Sequence, residues 1–274
     1  MENRSEVAIG VKKSPGESLH EALSKLSSPI VPRKNTKRVI IKPSIYDPKL
    51  PGNTDVELVG ALVHMFHSIG PISIVESDNP LRRTDEAFFQ CQYTKLVDER
   101  VGLVNLSDAE MASVNFPGHY FNSREMPQVL QDDAFFINVA TLKMEPNICN
   151  IGAGIKNLFG LLPELDKSVY HSFIDDVLMD LLALYQPDLT VIDLTDVVIG
   201  PRENHRTQHL GCVIAGTDPV SVDSFCSSLL GLNPLEIKHL RNAHNLGFGE
   251  ALLDRISVRG TEHQVNKLIQ FFRK

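Results

Sequence analysis

The chain has 274 residues, 42% of them hydrophobic, and a formal net charge of −7 from 27 Lys and Arg against 34 Asp and Glu. That length supports one large α/β domain, with room for two lobes, and a core that needs no disulfide. The acidic balance and scattered basic residues exclude a nucleic-acid partner, and no apolar run reaches the roughly 20 residues needed to span a membrane.

In chain order, strand-like and helix-like runs alternate. Residues 7–11 read as a strand, 18–26 as a helix, 39–42 as a strand, 54–69 as a helix and 72–76 as a strand, a βαβαβ pattern. In the 54–69 helix, Thr54 and Glu57 have capping-box spacing, Val59, Leu62, Val63 and Phe66 repeat at helical period, and Gly70-Pro71 stops it. Residues 94–100 are expected to be helical, 102–106 extended, and 111–127 a hairpin or excursion. The apolar run 134–140 reads as a buried parallel strand leading into the polar segment 143–157. Beyond it come a helix over 173–185, strands at 189–194 and 212–215, and a helix over 220–230, with Asp218 and Pro219 as its cap and first turn. A helix near 235–245, a strand near 256–259 and an amphipathic helix ending at Phe271-Phe272 complete an α/β fold with a mostly parallel sheet flanked by helices.

Candidate site residues fall at strand ends and helix starts. Gly154 precedes Lys156 and Asn157 at a glycine-rich helix start, where backbone amides can approach a phosphate or carboxylate and the ammonium neutralises it. The run is neither a Walker loop nor a dinucleotide fingerprint, and a helix start with a surface lysine is the plainer alternative. Lys42 and Lys143 follow strands, so their ammonium groups are expected at the carboxyl edge of the sheet, beside Lys156 in a cationic pocket for an anionic small molecule.

Glu76 and Asp78, Asp193 and Asp196, and Asp218 and Asp223 also follow strands or open helices. Glu76, Asp218 and Asp223 make an oxygen-rich set suited to a divalent metal such as magnesium or manganese, with helix capping as the alternative for Asp218. Asp223 and His171 are the candidate catalytic residues, His171 as an acid or base near pH 7. His64 and His67 flank an apolar stripe, and His205 and His209, with Glu203 nearby, have ligand-like spacing in an expected loop. Cys91, Cys149, Cys212 and Cys226 form no Cys-x-x-Cys pair, so they read as reduced thiols rather than ligands of an intrinsic iron–sulfur cluster. With no signal-peptide core near the start, the expected location is cytoplasmic.

Ile41-Lys42-Pro43, Val75-Glu76-Ser77, Leu142-Lys143, the run 154–160, Tyr170-His171, and the run 215–223 followed by Gly231-Leu232-Asn233-Pro234 together resemble the family known as domain of unknown function 362, over residues 39–249. Members often carry, or occur beside, ferredoxin-like iron–sulfur modules. This chain has no such cysteine set, so a redox role implied by the resemblance requires a separate ferredoxin-like protein, with the chain as its enzyme or as a non-catalytic carrier. Departures at Ser44, at Met144-Glu145 and across 201–209 imply a different substrate specificity. Substrate, reaction and oligomeric state stay open at this point.

Overall fold

In the computed structural model, residues 4–199 and 206–273 are described. The chain begins β1 (Ser5–Val11), α1 (Pro15–Ser24), β2 (Arg38–Lys42), α2 (Val56–Phe66), β3 (Ile72–Glu76), α3 (Thr84–Gln90) and β4 (Val101–Asn105). A hairpin of β5 (Met111–Asn115) and β6 (Ser123–Pro127) precedes β7 (Ala134–Thr141), a smaller hairpin of β8 (Lys143–Glu145) and β9 (Asn150–Gly152), and the single turn α4 (Gly154–Asn157). The remainder is α5 (Ile174–Leu184), β10 (Leu189–Ile199), β11 (Arg206–Gly216), α6 (Pro219–Leu229), α7 (Lys238–Asn245), β12 (Ile256–Arg259) and α8 (Glu262–Phe272).

Eight strands form one sheet in the order β12-β1-β11-β10-β7-β2-β3-β4. All neighbours pair in parallel except those of β11, which runs antiparallel to both β1 and β10. From β2 the chain steps outward through β3 to β4, then returns to the other side of β2 as β7 and continues the opposite way through β10. The β2–β7 boundary is therefore the topological switch point, where open α/β sheets leave a crevice at their carboxyl edge.

Alternation along each strand feeds two cores. Val39, Ile41, Ile72, Ile74, Ile137 and Val139 pack beneath α1 and α2, while Ile40, Val75, Phe136, Ala140 and Ile192 face the side covered by α5, α6 and α7. Gly10 lets α1 lie directly on β1, because a Cβ there would stand 1.8 Å from the Ser18 carbonyl oxygen. No helix among the described residues is long and apolar enough to cross a membrane.

Several local expectations change. Asp55, not Thr54, caps α2, its side chain accepting from the Glu57 amide at 2.7 Å. Thr54 instead donates to the Val139 carbonyl at 2.9 Å and accepts from the Ser44 amide at 2.8 Å, tying the start of α2 to the ends of β7 and β2. The helix expected over 94–100 shrinks to the 3-10 turn Tyr93–Leu96. Both β10 and β11 extend well beyond the apolar runs that signalled them, because outside the sheet's centre they pair with each other and need no apolar cover.

Candidate functional site

A cavity of about 370 Å³ opens at the carboxyl edge, lined by the last residues of β2, β3 and β7, namely Lys42, Glu76 and Thr141. Its walls come from the loops after β2 and β3, the β8–β9 hairpin, α4, and the segment 159–171. Among the described residues, five cationic side chains, Lys42, Arg82, Lys143, Lys156 and Lys167, line it against the four carboxylates Glu76, Asp78, Glu145 and Asp166. The excess is positive in a chain whose net charge is −7.

Lys42 and Glu76 form the floor. The Lys42 ammonium is 1% exposed and lies 3.1 Å from Glu76 Oε2, 3.0 Å from the Pro43 carbonyl and 3.3 Å from Asn157 Oδ1. These three acceptors engage all three of its N–H donors. Burial lowers its pKa and Glu76 opposes the shift. Glu76 also accepts from the Ser77 amide at 2.9 Å and the Ile45 amide at 3.3 Å. Gly160 closes over the pair, since a Cβ there would come within 2.7 Å of Lys42 Nζ and 2.9 Å of Glu76 Oε1. Lys42 therefore lies at the carboxyl edge, on the cavity lining, with its ammonium held by partners within the fold.

Half-buried Asn157 continues the floor through a chain of side-chain amides. Its Nδ2 donates to Asn138 Oδ1 at 2.8 Å, and Asn138 Nδ2 donates to the Gly154 carbonyl at 2.7 Å. The amides of Gly154 and Ile155, expected to face a ligand anion, both donate to Asp223 at 2.8 Å. The fully buried Asp223 carboxylate thus fills the place assigned to a phosphate or carboxylate. Gly154 has no room for another group on that side, because a Cβ would stand 2.7 Å from Thr190 and 2.9 Å from Asp223. Asp223 lies outside the cavity lining and holds the first two amides of α4.

Lys143, Lys156 and Lys167 are half-buried on the cavity walls. Lys156 Nζ stands 4.2 Å from the Phe159 ring centroid, and the Phe159 ring lies 5.7 Å from that of His171. His171 sits in the 3-10 turn Ser168–Phe173 ahead of α5, rather than in the first turn of the α-helix itself. Burial, and then the Lys156 charge, push its pKa below the usual 6.5, which keeps the imidazole neutral and able to accept a proton at pH 7.

Lys167 was not evident from the sequence. It donates to the Asp78 and Glu164 carbonyls, each at 2.6 Å, and no described carboxylate pairs with it. Its pKa is lowered to about 8, first by burial, with Glu76 opposing the shift and Lys42 and Arg82 contributing to it. The one sequence signal was its position just before Tyr170-His171. Arg82 was missed as well: it bonds the Ser77 and Tyr46 carbonyls at 2.6 and 3.3 Å and also reaches the Ile45 carbonyl, so it staples the loop after β3 to the loop after β2.

The carboxylates expected to share a metal do not meet. Glu76 is held by Lys42, and Asp223 by the α4 amides. Asp218 caps α6 through the Val220 and Ser221 amides at 2.9 and 3.0 Å, and also accepts from Ser5 Oγ at 2.6 Å and the Glu250 amide at 2.9 Å. Among the described residues no three His, Cys, Asp or Glu side chains are grouped to hold a metal ion. Asp193 accepts from the Asp55 and Thr195 amides, Asp196 pairs with His209 at 3.0 Å, and His67 pairs with Asp98 at 2.9 Å. Glu203 and His205 lie outside the described residues. The four cysteines are free thiols, and burial pushes Cys149 and Cys212 up to about 12.

The family model described as Domain of unknown function (DUF362) matches residues 39–228. The chain belongs to this family. The DUF362 match runs from β2 to α6 and so contains every residue named above on the cavity floor and walls. It stops short of 249 and leaves out β1 and β12, although both strands pair within the sheet. No curated protein matches this DUF362 chain in sequence.

Proposed function

We propose that the protein binds an anionic small molecule, a phosphate or a carboxylate, in the carboxyl-edge cavity, and that His171 accepts or donates a proton there. The observation that carries this reading is the cluster of Lys143, Lys156 and Lys167 around one cavity at the sheet's switch point in an otherwise acidic chain. A cavity of about 370 Å³ falls within the range of small-molecule sites. Lys42, Glu76 and Asn157 shape the floor, and Asp223 fixes the turn that carries Lys156. The depressed pKa values of His171 and Lys167 leave both groups suited to proton transfer near neutral pH. Free thiols at all four cysteines support a reducing compartment, the cytoplasm.

Titration calorimetry with phosphate- and carboxylate-bearing ligands tests the reading. Lys156→Ala and Lys143→Ala are each expected to weaken binding roughly tenfold or more, the size of a lost charge-assisted contact. Unchanged affinity in variants that fold normally would show that the anion lies elsewhere.

A further inference from the structure

The cavity that carries the lysines also has an apolar mouth. Leu81 and Leu165, from the loops after β3 and before the 168–173 turn, are 55% and 53% exposed, and Tyr46, from the loop after β2, is 40% exposed. All three line the same cavity, and Pro80 extends the apolar rim. Large side chains left this open on three separate loops converge on one opening, and burying each against a ligand would recover the hydrophobic contribution it forgoes in water. Phe159 and His171 line the same cavity, their rings 5.7 Å apart, and add aromatic surface to it.

From this arrangement we infer that the ligand is amphipathic: an organic anion whose charged group sits among Lys143, Lys156 and Lys167 and whose aromatic or branched apolar body is clasped by Leu81, Leu165 and Tyr46. This rests on the reading that the cavity holds an anion, and it narrows the ligand class. A bare oxyanion would meet the lysines but leave the mouth uncovered. An aryl or branched-alkyl phosphate or carboxylate satisfies both, and the cavity volume admits a body larger than one ring.

The test compares matched pairs by titration calorimetry on the full chain: phenyl phosphate against inorganic phosphate, and benzoate against acetate. In at least one pair the ring-bearing anion is expected to bind about tenfold more tightly or better, the discrimination that apolar pocket contacts supply. In the Leu81→Ser/Leu165→Ser double variant, confirmed folded by its melting temperature, that ratio is expected to collapse towards one. If both members of each pair bind equally to the wild type, the inference fails while the anion reading stands. If the preference survives in the double variant, the apolar mouth is not its source and the inference fails in its structural part. If none of the four anions binds, the anion reading itself falls and the inference with it.

Discussion

At the scale of single residues, Lys42 shows how a pocket cation can be structural. Its ammonium and the Glu76 carboxylate are almost fully buried, and both are surrounded by further hydrogen bonds. Removing one partner of such a pair strands the other charge, so Lys42→Met or Glu76→Gln is expected to cost about 3–5 kcal/mol. Replacing both, as Lys42→Met/Glu76→Gln, is expected to cost less than the sum of the single changes. Urea denaturation of the three variants measures this, and simple additivity would contradict the pairing. The strand-end position of Lys42 was legible from Val39-Ile40-Ile41-Lys42-Pro43. Its engagement was not, because Glu76 arrives from a strand 34 residues away and one sequence carries no signal of that pairing. Lys167 was illegible for a related reason: its low pKa arises from burial among loops that meet only in the fold.

At the scale of elements, α4 joins two parts of the chain. At the glycine-rich start at 154 the amides of Gly154 and Ile155 converge on the protein's own Asp223, 69 positions on from Gly154. Burial raises the Asp223 pKa from 3.8 to about 7, with the two amide bonds opposing the shift and Asp218 adding to it. The folded protein therefore holds this proton more tightly than the unfolded chain does. The associated stability is present at low pH and is lost as pH rises between about 4 and 7. Asp193, buried and shifted in the same direction, adds to that loss. Asparagine does not titrate, so Asp223→Asn is expected to gain stability relative to the wild type between about pH 5 and pH 8, as read from denaturation midpoints at the two pH values. A difference independent of pH would mean that Asp223 titrates alike in the folded and unfolded states. The elements themselves were largely legible. The buried strands β2, β3 and β7 show as apolar runs and helices α2, α5 and α6 as periodic segments, whereas the antiparallel direction of β11 and the diversion of Thr54 from the α2 cap depend on tertiary partners.

At the scale of the whole molecule, the sheet order decides where chemistry can occur. The reversal between β2 and β7 opens the crevice, and the loops that follow those strands, together with α4 and the 159–171 segment, deliver cations to it. A chain of net charge −7 that gathers lysines at one cavity has the charge arrangement on which the proposed anion site rests. Grouping Lys143 with Lys156 was legible from their places after a strand and at a helix start, whereas Lys167 joins them only through the fold. The most direct measurement is a crystal structure of the full chain soaked in tungstate, whose anomalous scattering locates a bound oxyanion whatever the natural ligand is. The tungsten peak is expected inside the carboxyl-edge cavity, with its oxygens within hydrogen-bonding distance of at least two of Lys143, Lys156 and Lys167. A cavity without tungstate, with peaks only elsewhere on the surface, would contradict the proposal that this cluster is the anion site.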